Sequence, residues 1–393
     1  MKTILYLYHT STIGGGSFCL LNILKSINRS LYKPVVLLKN YGPLVDEIER
    51  LGIKVYFLPT LSTVPYNIST FTPSKIINAY HIITSFSKYE SLLSKISPDI
   101  VYLNTMMLYP YLRSAKQKGI KTIIHIREHW PENEHRHQRN LALRNIDKYA
   151  DHIIGINTYS ISMFDFSKKP KTIVYDWIDL SNRYERRPIS EIFGESISDK
   201  KVYLFMGGMQ PIKGVKQVVT TFIHCIKDSN SRLLIMGIQG NYRGKGIKAT
   251  IKNILAKIGY LSYSDYVLKL INSDNRIKCI PSSYKINDIV QQSYCVLSYF
   301  TIPHANLSLA ENIILGIPTI AASTSESLEY SRNGEMALLY PINNLAAFQE
   351  AVLNFDDRRS DIIKNIHSKS SQIKEMFDPQ TNSEILNKLY MNL

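Results

Sequence analysis

The chain has 393 residues, more than a single hydrophobic core supports, so two domains are expected. Its 45% hydrophobic and 20% charged residues fit a globular enzyme and exclude a disordered chain. A net charge of +15, from 47 basic and 32 acidic residues, leaves nucleic acid, an anionic membrane or phosphate-bearing substrates as partners.

TILYLYH (3–9) reads as a buried strand; its apolar run is too short for a secretory core, which points to the cytoplasm. A glycine turn and a helix to about residue 27 follow. PVVLL (34–38) and KVYFLP (54–59) read as strands around a helical stretch at 43–51. IVYLN (100–104), TIIHI (122–126) and HIIGI (152–156) continue the series. Short continuous Val/Ile/Leu/Tyr runs separated by helix-length segments indicate a parallel sheet covered on both faces, a doubly wound α/β domain over 1–178. The polar segment 179–200 lacks periodicity and reads as a linker. Alternation restarts with KVYLFMG (201–207), RLLIMG (232–237), IKCIP (277–281), CVLSYF (295–300) and PTIAAS (318–323). These predict a second Rossmann-like domain over 201–375, with tail helices at about 361–376 and 382–390. No run reaches the roughly 20 apolar residues that span a bilayer. Cys19, Cys225, Cys279 and Cys295 match no zinc or redox spacing and read as reduced structural thiols. No RNA-binding, helix-turn-helix or zinc-finger signature occurs, so nucleic acid drops out. Ligands of such sheets bind beyond the carboxyl ends of the strands, so a cleft between two sets of strand-end loops is the expected site.

Three constellations carry chemistry. IGGGSFCLLNIL (13–24) places glycines between strand and helix, where backbone amides favour an anion or simply make a tight turn. It lacks the GxGxxG spacing of dinucleotide sites. GGMQPIKG (207–214) follows the first strand of the second domain and offers Lys213 to a diphosphate. HANLSLAENIILGIPTIAAS (304–323) leads into a helix whose first amides, around Asn306, Leu307 and Ser308, can bind phosphate oxygens. Glu311, about one turn in, can accept hydrogen bonds from a ribose diol.

Together residues 14–24, 213–214, 309–323 and 377–390 resemble a retaining glycosyltransferase of the GT-B fold, in the "group 1" (family four) type that builds bacterial surface polysaccharides. The resemblance spans almost the whole chain and is strongest over 201–341. It implies a UDP- or GDP-sugar donor, no cofactor or metal, and a glycan or polyprenyl-diphosphate-linked acceptor. It further implies that Gly14, Gly15, Gly207, Gly208 and Lys213 lie at the donor diphosphate, Glu311 at the ribose and His125 at the transferred sugar. Glu329 matches a further family position. The closing helix, 376–393, is expected to return to the first domain. Two positions depart from the pattern: Gly208 stands where an arginine is common, and Pro303 where the first glutamate of an E-x7-E pair falls. Both leave the donor sugar open. They also admit a catalytically degenerate nucleotide-sugar-binding subunit; a sugar-nucleotide epimerase on the same scaffold is a further alternative.

HIREHWPENEHRH (125–137) concentrates histidines, and His125 and His129 are four apart. A strand there would separate them by about 13 Å, which argues against a shared metal. Arg127 and Glu128 read as a local ion pair or as acceptor contacts. Arg136, Arg139, Arg144 and Lys148, with Lys116, Lys118 and Lys121, form a basic stretch suited to peripheral docking at the inner membrane face or to solvation.

Overall fold

The computed structural model describes residues 1–65, 73–128, 130–180, 188–238, 262–283 and 285–393, the side chains of 73–75 excepted. His129 and residues 181–187 of the expected linker lie outside this set. Two compact units divide the chain: Met1–Ile178 with Met376–Leu393, and Asp179–Glu375.

The first unit runs β1 (Lys2–Leu7), α1 (Gly15–Ser26), β2 (Tyr32–Leu38), α2 (Pro43–Arg50), β3 (Lys54–Phe57), α3 (Pro73–Ile96) and β4 (Ile100–Leu103). It continues with α4 (Leu112–Gln117), β5 (Lys121–Ile126), α5 (Arg136–Tyr149), β6 (His152–Gly155), α6 (Thr158–Ser162) and β7 (Lys171–Ile173). All neighbouring pairs are parallel, in the order β3-β2-β1-β4-β5-β6-β7. The period-two alternation of a strand explains why its runs are apolar throughout. Ile4 and Tyr6 join Leu20 and Leu24 of α1 on one face, while Leu5 and Leu7 join Leu93 of α3 on the other.

In the second unit the order is α7 (Ile189–Phe193), β8 (Lys201–Phe205), α8 (Val215–Cys225), β9 (Ser231–Met236), α9 (Tyr263–Asn272), β10 (Ile277–Ile280) and α10 (Asn287–Gln291). Then come β11 (Cys295–Ser298), α11 (Leu307–Ile314), β12 (Thr319–Ser323), α12 (Ser325–Tyr330), β13 (Leu338–Pro341), α13 (Leu345–Leu353) and α14 (Phe355–Met376). Its parallel sheet is ordered β10-β9-β8-β11-β12-β13. Within the segment read as a linker, Ile189 of α7 is buried in this unit's core.

The last helix, α15 (Pro379–Met391), belongs to the first unit and buries Leu386, Leu389 and Tyr390 in its core. Asp378 caps it by accepting from the Thr381 amide at 2.8 Å. Buried Asn382 accepts from the Tyr175 amide at 3.0 Å and donates to the Met376 and Asp378 carbonyls. These bonds join α15 to the chain just after β7.

Two strands are absent from the sequence reading. β7 has three residues and pairs on one side only, and the four-residue β13 closes the other sheet as an edge. Among the described residues no helix is long and apolar enough to cross a membrane.

Candidate functional site

Each sheet reverses its strand order once, between β1 and β4 and between β8 and β11. At such a point the two flanking loops diverge to opposite faces and leave a crevice at the carboxyl ends of the strands. The predicted phosphate-binding residues fall on these loops.

In the second unit, the loop after β8 is built on tight backbone contacts. Gly208 has φ +59°, and a Cβ there would lie 3.3 Å from the Gly237 carbonyl oxygen. Gly237, at φ +91°, would in turn push a Cβ to 2.9 Å from Gly208 Cα. The two loops therefore touch glycine to glycine. An arginine at 208 would carry left-handed strain close to a neighbouring backbone. A 3-10 turn over Pro211–Lys213 then presents Lys213. Its Nζ lies 4.6 Å from the Phe300 ring centroid, and among the described residues no carboxylate pairs with it. Burial lowers its pKa to about 8.

The loop after β11 meets the first through the Thr301 amide, which donates to the Ile212 carbonyl at 3.0 Å. Phe300 stacks edge-on with His304 at 5.5 Å. Asn306, 1% exposed, stands at the N-terminal cap position of α11 without a side-chain cap bond; its Oδ1 accepts from Ser308 Oγ at 2.9 Å and from Ser298 Oγ at 3.4 Å. Its Nδ2 is buried with no hydrogen-bond partner. The amides of Leu307 and Ser308 open the helix, where intrahelical acceptors are lacking by geometry. Glu311 sits partly buried one turn in, and Pro303 lies in the preceding loop. A lysine, a buried amide donor and a helix start thus converge on one switch point, an arrangement that can hold an anion.

In the first unit, Gly14 and Gly15 open α1 with no side-chain cap, and a Cβ at either would meet nothing within 4 Å. Internal packing requires only Gly16, whose Cβ would sit 2.6 Å from the Tyr8 hydroxyl. Ser17 Oγ donates to the Thr12 carbonyl at 2.6 Å and Asn104 Nδ2 to the Gly16 carbonyl at 3.3 Å, fixing the loop from both ends.

His125 has a different setting from the one the sequence suggests. It lies inside β5 and is 1% exposed, so as placed it offers no surface to a sugar. The Tyr102 hydroxyl reaches its Nδ1 at 2.6 Å and Arg127 Nη2 at 3.2 Å. A guanidinium can only donate, so Nδ1 is the acceptor and the proton resides on Nε2, which faces the Val174 backbone without a formed bond. Burial, then the Arg127 charge, hold the ring well below its usual pKa and therefore neutral.

Arg127, one residue past the strand, is the hub of this cluster. It ion-pairs with Asp176 and donates from Nε to Asn104 Oδ1 at 3.1 Å, and Asn104 is the residue that holds Gly16. Of the two sequence readings of Arg127 and Glu128, a local ion pair or acceptor contacts, the side-chain ion pair is not formed among the described residues. Instead, Glu128 accepts from the Thr105 hydroxyl, the Met106 amide at 3.0 Å and the Arg127 amide at 3.1 Å. Burial raises its pKa against the pull of those bonds. Asp176 is 49 residues from Arg127, and no local pattern announces it. Among the described residues no group of three His, Cys, Asp or Glu is arranged to hold a metal ion.

No family model matches the chain, and no curated protein matches it. Solved structures do. HepE of Anabaena, solved in complex with UDP and glucose, superposes with a TM-score of 0.73 at 15% identity over 100% of both chains. A glycosyltransferase from Rickettsia africae gives 0.69 at 15% identity, over 100% of this chain and 98% of that one. Sucrose-phosphate synthase from Thermosynechococcus elongatus gives 0.67 at 12% identity, over 100% and 99%. The chain shares their fold, two parallel-sheet α/β domains of the GT-B type.

Proposed function

We propose that the chain transfers a sugar from a UDP- or GDP-sugar to a glycan or polyprenyl-diphosphate-linked acceptor, with retention of configuration and without a metal, in surface polysaccharide assembly. One observation carries this reading. At the second unit's switch point, a lysine without a carboxylate partner and a buried amide donor without an acceptor stand on loops joined by a hydrogen bond. Among the described residues Lys213 has only the Phe300 ring as a partner and Asn306 Nδ2 has no acceptor, and a diphosphate would satisfy both. The UDP complex of a structure with the same fold supports the choice of ligand class.

In the proposed reaction the anomeric carbon–oxygen bond to the diphosphate breaks and negative charge builds on the leaving oxygens. Lys213, Asn306 Nδ2 and the Leu307 and Ser308 amides stabilise that charge before solvent could reorganise around it. The acceptor hydroxyl bonds to the anomeric carbon on the same face, and its proton passes to the departing phosphate. Glu311 holds the ribose; Gly207 and Gly208 line the phosphate loop. Gly14 and Gly15 are the phosphate contacts assigned to the first unit. His125, enclosed in β5, is given no contact with the sugar and serves only as the acceptor for Tyr102 and Arg127. We place the protein at the cytoplasmic face of the membrane, where such acceptors are found.

The first experiment is calorimetric titration with UDP, GDP and their common sugars, followed by transfer assays on glycan and lipid-linked acceptors. Glu311→Ala should weaken UDP or GDP binding at least about tenfold, the loss of two charge-assisted hydrogen bonds. Unchanged affinity would remove the ribose assignment.

Affinity should also depend on pH through Lys213. Only the ammonium attracts a diphosphate, so binding should hold below pH 8 and fall as the pH rises through about 8. Binding should be accompanied by proton uptake near pH 8, measured as a heat that varies with buffer ionisation enthalpy. A flat profile from pH 7 to 9 in the wild type, or a pH dependence that persists in Lys213→Met, would count against this role.

Gly208 and Pro303 favour a second reading, a nucleotide-sugar-binding subunit without turnover. Tight nucleotide binding with no transfer to any acceptor would select it.

A further inference from the structure

From Ile76 to Ile83, α3 carries large apolar side chains on the side that faces water. Ile76, Ile77, Tyr80 and Ile83 are 55, 54, 64 and 69% exposed. Spaced at i, i+1, i+4 and i+7, they form one stripe along the helix. Farther along the same helix the exposed positions become Ser87, Lys88, Ser91, Ser94 and Lys95. Scattered surface hydrophobics are ordinary, but a contiguous stripe is a contact surface awaiting its partner. Apolar ground continues beside it into a cavity of about 350 Å3 whose walls include Val64, Pro65, Ile76, Ala79, Ile82 and Gln138.

Gln138 brings this surface to α5. There His137, Leu141, Arg144 and Lys148, all exposed, fall at i, i+4, i+7 and i+11 on one face, with Leu141 57% exposed. Arg139 is not part of that face: it is buried and donates to the Trp130 carbonyl at 3.1 Å. Lys116 pairs with Asp151 and Lys118 donates to Ser94, so both are also engaged. The only carboxylates on α3 and α5 are Glu90 and Asp147, each held by a serine hydroxyl, Ser114 and Ser167.

We propose that the α3 stripe and the cationic face of α5 together form the surface by which the chain settles on an anionic bilayer. This deepens the reading of a lipid-linked acceptor and rests on it for its purpose, though not for its test. Aliphatic side chains and a tyrosine suit the acyl–headgroup boundary, and flanking Arg144, Lys148 and Lys88 suit acidic headgroups. Charge selects this occupant over a second copy of the chain. A symmetric dimer through this face would place the same cations against one another.

The test is co-sedimentation of the full chain with vesicles of equal parts phosphatidylglycerol and phosphatidylcholine, against phosphatidylcholine alone, at low and moderate salt. Wild type should pellet with the anionic vesicles only. The triple variant Ile76→Ser, Tyr80→Ser, Ile83→Ser should bind at least about tenfold more weakly, and Arg144→Gln with Lys148→Gln should lose the preference for anionic lipid. All of these positions are exposed, so thermal melting and nucleotide binding should match wild type in both variants, which separates this proposal from the reaction itself. Equal pelleting with both vesicle types, or a triple variant that binds like wild type, overturns it. So does a dimer in sedimentation velocity that the triple variant abolishes.

Discussion

Lys213→Ala should lower kcat/KM for sugar transfer by about 100- to 1,000-fold, the usual cost of removing one pre-placed donor from a developing oxyanion. Position 208, a glycine at φ +59°, supplies no side chain to share the load. The same change should not weaken the fold. The folded protein holds Lys213 at about 8, below its ordinary 10.5, so the unfolded chain binds more protons between those values. Free-protein stability therefore carries a penalty from this residue that is largest below pH 8 and is relieved as the pH rises toward 10.5. Removing the ammonium removes the penalty, and Lys213→Ala should melt no lower than wild type at pH 7 except for the ammonium–ring contact it loses with Phe300. Activity loss with a preserved or higher melting temperature would identify a group kept for its ligand at the expense of stability. Wild-type turnover in the variant would end the assignment.

Arg127→Leu should destabilise the first unit by about 1–3 kcal/mol, because it leaves the half-buried Asp176 carboxylate uncompensated. Burial opposes the charge on Arg127, and Asp176 holds it protonated regardless. Its loss also frees Asn104 and, through Asn104, the Gly16 carbonyl at the helix start. The double variant Arg127→Leu, Asp176→Leu should recover much of the loss, since no lone charge remains. Urea unfolding of both variants measures this directly. Arg127→Lys should rescue only part of it, because one ammonium cannot span Asp176, Asn104 and His125 as a planar fork does. A single variant within about 0.5 kcal/mol of wild type would show that the cluster is wet and expendable.

What the amino-acid sequence determined by itself is the architecture. A parallel strand is buried on both faces by its own residues, so KTILYL or KVYLF announces itself wherever it lies, and repetition of such runs with helix-length spacing implies two wound sheets. Glycines at strand exits mark the loops for a similar local reason. The tertiary structure alone decided which polar groups meet. Arg127 finds Asp176 because both follow parallel strands, β5 and β7, at the carboxyl end of the sheet, and Asn306 is left with an unmatched donor because Ser298 and Ser308 both claim its oxygen. The interior place of His125 follows from where β5 ends, one residue beyond it, and strand ends are set by pairing with neighbours. Periodicity is written in adjacent residues, whereas pairing across a sheet depends on strand order, to which no stretch of sequence refers.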